Sequence, residues 1–167
     1  MLVGPPGAGK TTVGRLAAAR LGLPFRDTDA DIEARTGKPI AEIFVDDGEE
    51  RFRALEREAV ARAVAAHDGV LSLGGGAVLA EATRALLRGH RVVFLSVGLP
   101  DAASRVGLAQ SRPVLALNPR AALRELLAAR LPLYREVASA EVNTDGKTPE
   151  RVLDEVLEAL HVLQVQA

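Results

Sequence analysis

Gly4-Pro5-Pro6-Gly7-Ala8-Gly9-Lys10-Thr11 carries the strongest chemical signal in the chain. It matches G-x-x-x-x-G-K-[ST] in full and sits between a short apolar β-like run and a helical stretch, the context this pattern requires. Glycines let successive backbone N–H groups curl around phosphate oxygens, and the positive end of the following helix adds to that field. In such a loop Lys10 reaches the β- and γ-phosphates and the Thr11 hydroxyl ligates Mg²⁺. Gly7, Ala8, Gly9 and Thr12 line the rest of the cradle, so ATP and Mg²⁺ are the expected cofactors. The chain has no Asn-Lys-x-Asp guanine motif. Val70 to Leu73 is followed by three glycines rather than by the acidic residue of a large ATPase motor. Small-metabolite and nucleotide kinases fit best.

Asp27-Thr28-Asp29 is the second signal, at the end of the second β-like run. In an open α/β sheet ligands sit outside the carboxyl ends of the strands. Two carboxylates two residues apart in extended chain point the same way. One is placed to assist Mg²⁺ and the other to meet a hydroxyl. The competing reading is a helix N-cap by Thr28 or Asp29, and only the phosphate loop upstream tips the balance towards chemistry. Other candidates carry similar alternatives. Arg53 suits an anionic substrate by its planar fork, or else pairs with Glu49 one turn earlier. Gly74, Gly75 and Gly76 leave room for a ligand against the backbone, or else supply positive φ. Phe44 and Phe52 line a ring site or belong to the core. Arg112-Pro113 lies in a long loop from which an arginine can neutralise the transferring phosphoryl group and exclude water.

Taken together, Asp27-Thr28-Asp29-Ala30-Asp31-Ile32-Glu33, then Thr36-Gly37, Ile40, Ile43-Phe44, Gly48-Glu49, Phe52-Arg53, Glu56 and Leu73-Gly74-Gly75-Gly76-Ala77 resemble shikimate kinase over nearly the whole chain. The resemblance implies ATP-dependent phosphorylation of the 3-hydroxyl of shikimate, a step of aromatic amino-acid biosynthesis, by a cytoplasmic monomer. It implies that Lys10 and Thr11 hold phosphate and Mg²⁺, with Asp27 helping through water. Asp29 then binds the ring hydroxyls and is the candidate base. Arg53 and Arg130 grip the carboxylate, and the backbone at Gly75 approaches the ring. Arg112 closes over ATP, while Arg105 and the segment from Lys147 to Pro149 lie near the adenine. The chain departs from the family pattern at Leu108 and Ala109, which make the lid more apolar, and at Thr11, where Ser is commoner. A gluconate-type or nucleotide kinase on the same core is the alternative enzyme. A non-catalytic ATP-binding protein is disfavoured by intact Lys10, Thr11, Asp29 and Arg112.

These residues need a scaffold, and the chain supplies one. Its 167 residues are 48% hydrophobic, enough for one sizeable core in one domain. The 21 basic and 22 acidic residues leave a net charge of −1, so neither nucleic acid nor an anionic membrane is an expected partner. With no cysteine and three scattered histidines, neither a disulfide framework nor a zinc site is available. No apolar run is long enough to span a membrane, and the start has no secretion-signal pattern. β-like runs at 1–4, 24–27, 70–73, 91–96 and 138–143 alternate with helical patterns. The helices are expected at 10–21, 31–35, 40–45, 49–66, 79–87, 100–106, 119–130 and 148–163. This is the rhythm of an α/β protein with a parallel sheet. The first run is short for a central strand; it is either a stub or the end of a strand that begins upstream. The expected architecture is a three-layer α/β/α P-loop kinase fold whose five strands take the family's order 2-3-1-4-5. Its substrate-binding insert lies at about 29–56 and its lid at about 107–119.

Overall fold

The computed structural model describes residues 1–107 and 118–165. Five parallel strands, β1 (Leu2–Val3), β2 (Phe25–Asp27), β3 (Val70–Ser72), β4 (Val93–Ser96) and β5 (Ala140–Asn143), form one sheet in the order β2-β3-β1-β4-β5. Among the described residues eight α-helices connect and cover it: α1 (Lys10–Leu21), α2 (Thr28–Thr36), α3 (Ile40–Asp46), α4 (Gly48–Ala66), α5 (Glu81–Leu87), α6 (Leu99–Arg105), α7 (Pro119–Val137) and α8 (Pro149–Val165). β1 is only two residues long, yet it is central. Leu2 aligns with Ser72 on one side and Val93 on the other.

Side-chain alternation along the strands divides the core into two layers. Val3, Leu71, Phe94, Val60, Leu87 and Tyr134 pack on one face of the sheet. Leu2, Val93, Leu95, Val13, Val142 and Val156 pack on the other, under α1 and α8. A third, smaller cluster of Ile32, Ile43, Phe52, Leu55 and Ala59 ties α2, α3 and the start of α4 together. These are the helices into which residues 29–56 fold. The architecture is the expected P-loop kinase fold.

The helix expected at 119–130 is seven residues longer, ending at Val137. Pro132 lies inside it and removes one donor from the helical ladder. Burial of Tyr134 and Val137 against the core beyond it offsets that loss. At the other ends the differences are small: Ala77–Leu79 is a 3-10 turn ahead of α5, and β5 begins at Ala140. The expected lid falls almost wholly outside the described residues, and Arg112 lies there with it. Among the described residues no helix is long and apolar enough to cross a membrane.

Candidate active site

The loop after β1 is shaped for close approach to a ligand. Gly4, Gly7 and Gly9 have φ of +152°, +81° and +87°. A Cβ on Gly4 would collide with the Leu95 carbonyl oxygen, so the loop can lie against β4 only with glycine there. From the first turn of α1, Lys10 reaches back across the loop and donates to the carbonyls of Gly4 at 2.8 Å and Pro5 at 3.1 Å. Burial draws its pKa down to about 8, with Arg130 adding to the effect and Asp29 and Asp27 opposing it. One carboxylate pair, one ammonium and one guanidinium therefore share a field, although they lie far apart in sequence.

Asp27 serves two elements at once. One carboxylate oxygen accepts from the Asp29 N–H at 3.0 Å and caps α2. The other accepts from the Thr11 hydroxyl at 2.8 Å. The cap is thus Asp27 rather than Thr28 or Asp29, because strand β2 ends in extended backbone at that residue. Thr28 is buried and accepts from the Gly74 N–H at 3.0 Å, which pins the turn after β3 to the start of α2. The Asp29 carboxyl lies against Gly74. Its Oδ1 is buried and has no hydrogen-bond partner. Burial first, then the negative charges of Asp27 and Glu56, push its carboxyl up to about 6, with Lys10 pulling the other way.

Gly74, Gly75 and Gly76 are small for reasons of space, since none of them has positive φ. A Cβ on Gly74 would collide with Asp29 Oδ1, and one on Gly76 would collide with the Arg53 guanidinium. A Cβ on Gly75 would press on Pro6 of the phosphate loop at 3.0 Å. Arg53 lies over the rings of Phe52 and Phe44, at 5.2 and 5.9 Å from their centres. Phe52 is buried and Phe44 is more exposed, and their centroids are 4.6 Å apart. Arg53 also donates to Glu56 at 2.7 Å and to Glu49 at 3.3 Å. Glu56 is only 3% exposed, and burial raises its pKa against the pull of Arg53. From the far side, Arg130 donates to the Gly75 carbonyl at 3.1 Å.

The remaining candidates gather beside α1. Arg105 donates to the Gly7 carbonyl at 3.1 Å and to the Thr144 hydroxyl at 2.9 Å. Thr12, Arg105, Lys147 and Pro149 line one recess of about 180 Å³ with Ala8 and Gly9. Lys147 is held there by Glu155 at 2.7 Å and the Asn143 carbonyl at 2.9 Å. The structure thus brings together every sequence candidate among the described residues. It also adds two that the sequence does not single out. Glu56 enters there only as part of a pattern, and Tyr134, which donates to the Gly75 carbonyl at 2.6 Å, is not named there. Helical spacing is the one available signal: Glu56 is three residues from Arg53, and Tyr134 is four from Arg130.

A phosphate loop with its lysine half-buried and its threonine hydroxyl against a carboxylate fits ATP and Mg²⁺. Among the described residues no cluster of three His, Cys, Asp or Glu side chains could hold a metal ion.

The family model for shikimate kinase matches residues 6–161. A shikimate kinase of Salinispora arenicola is 65% identical over 156 residues, covering 93% of each chain. One from Saccharopolyspora erythraea is 64% identical over 159 residues, 95% of this chain and 91% of that protein. Among solved structures, shikimate kinase from Acinetobacter baumannii in complex with shikimate superposes with a TM-score of 0.86 at 38% identity. That match covers 99% of this chain and 92% of the other.

Proposed function

The chain belongs to the shikimate kinase family, and on that premise we propose that it transfers the γ-phosphoryl group of ATP to the 3-hydroxyl of shikimate, giving ADP and shikimate 3-phosphate. The observation that carries this reading is Asp29, a carboxylate with one buried, unpartnered oxygen that lies in the field of the phosphate-loop lysine.

Asp29 takes the hydroxyl end of the substrate. A new bond forms between the hydroxyl oxygen and the γ-phosphorus as the bond to the ADP oxygen breaks. The hydroxyl proton passes to Asp29, whose pKa of about 6 suits a group that must be ionised near neutral pH and still accept a proton. Lys10 leaves the Gly4 and Pro5 carbonyls for the phosphates and offsets the charge on the transferring group. Bound Mg²⁺ would be held by Thr11, with Asp27 behind it, and would neutralise charge on the phosphate oxygens. Arg53 and Arg130 take the carboxylate end, with Phe44 and Phe52 beside the ring. Arg105, Thr12, Lys147 and Pro149 form the wall for the base. Arg112 is assigned to the lid that shields the reaction, and the reading is of a cytoplasmic monomer.

A coupled assay of ADP release tests this directly. Shikimate should stimulate release strongly, and gluconate should not. ADP release indifferent to shikimate overturns the assignment.

A further inference from the structure

We propose that Tyr134 is a positioning residue for the acceptor carboxylate, acting through Arg130. This rests on the shikimate kinase reading above. Tyr134 is 1% exposed, and its ring stacks on Phe94 with centroids 5.0 Å apart and planes 20° from parallel. Its hydroxyl donates to the Gly75 carbonyl at 2.6 Å, the oxygen that also accepts from Arg130 at 3.1 Å. Gly75 in turn lies against Pro6, so this one peptide links the phosphate loop to α7. Burial pushes the phenol up to about 12, which keeps the proton on the hydroxyl and the donation intact at any pH the enzyme meets.

Arg130 has several N–H donors in a fixed fork. Where Tyr134 satisfies the Gly75 carbonyl, Arg130 spends one donor there at longer range and keeps the others for the substrate. Without the phenol, the carbonyl would have Arg130 as the one remaining donor of this pair. The guanidinium would then be drawn towards the backbone and away from the carboxylate. The backbone around Gly75 would also lose the contact that holds it at the distance the ring requires.

Tyr134→Phe keeps the ring and its stack on Phe94 and removes only the donor. KM for shikimate should rise about tenfold, the scale of one lost hydrogen bond felt by a charged partner. KM for ATP and the melting temperature should change little. A ring analogue lacking the carboxylate should not feel the substitution. In an Arg130→Ala background, Tyr134→Phe should add almost nothing, because the two residues act on one contact. Equal losses for shikimate and the analogue, or losses that simply add, overturn the inference, as does an unchanged KM for shikimate. Wild-type turnover of shikimate in the same assay separates these outcomes from a failure of the kinase reading itself.

Discussion

At the phosphate end of the cleft the cations rest on backbone carbonyls, while Thr11 is paired with Asp27. Lys10 rests on the Gly4 and Pro5 carbonyls and Arg105 on the Gly7 carbonyl. At the acceptor end Arg130 also rests on a backbone carbonyl, that of Gly75, but Arg53 is taken by Glu49 and Glu56, and Asp29 Oδ1 has no partner. In the first arrangement the loop backbone already defines the cradle, and Lys10 turns from carbonyls to phosphates when a polyphosphate arrives. The second must trade ion pairs for substrate contacts. Acceptor affinity is therefore set by a difference between two sets of charged hydrogen bonds, and it should respond to substitutions that leave nucleotide binding alone.

Lys10→Ala should break the phosphate end outright. Loss of a charge directed at the transferring group costs about 2.7–4 kcal/mol in such sites. kcat should fall by at least about a hundredfold, with circular dichroism unchanged. Near-normal turnover would remove phosphoryl transfer from this loop.

Asp29→Asn probes the other end and should lower kcat by roughly 10²–10⁴ while ATP binding persists. It should also stabilise the empty protein. The carboxyl titrates near 3.8 when free and about 6 in the fold. Below pH about 4 it is protonated in both states and carries no penalty. As pH rises through about 6 the folded carboxyl must ionise against its burial, and that share of stability is lost. Asn escapes the loss. The variant should therefore be more stable than wild type at pH 7, by about 3 kcal/mol, with the gap closing at low pH. A melting-temperature difference that is flat with pH would contradict burial as the origin of the shift.

Arg53→Lys keeps the charge but loses the fork, and KM for shikimate should rise by about tenfold with KM for ATP little changed. The sharper form is a cycle with an analogue lacking the carboxylate. Arg53→Ala should penalise that analogue much less than shikimate, and losses that add would separate Arg53 from the carboxylate. The smallest effect is expected from Gly76→Ala. Its methyl group meets the Arg53 guanidinium, the far end of a flexible side chain, so the arginine can move aside. A rise of a few-fold in KM for shikimate is expected, with stability nearly intact. A loss of folding instead would mean that the glycine serves the turn rather than the arginine.

How far the site was legible in the sequence follows the same division. The phosphate loop is one continuous segment whose chemistry belongs to the backbone, so spacing alone declares it: glycines where N–H groups must converge, then Lys10 and Thr11 at the helix start. The parallel sheet was legible too, since β-like runs alternate with long helical patterns. What local pattern misjudged was the end of α7, where Pro132 reads as a stop. The burial of Tyr134 that carries the helix past it depends on Phe94, about forty residues away in the chain.

The acceptor end comes from residues 29, 53, 74–76 and 130, and no stretch of sequence states that they meet. Their identities could be nominated from a family likeness. Only the fold shows what the missing side chains of Gly74 and Gly76 make room for: Asp29 and Arg53 fill the space a Cβ would need. Only the fold gives Asp27 its two tasks, and only burial beside Asp27 and Glu56 lifts Asp29 towards neutrality. Local sequence determines backbone conformation and therefore the phosphate cradle. Desolvation and charge coupling act through space, between elements the chain brings together late, and so they belong to the tertiary structure alone.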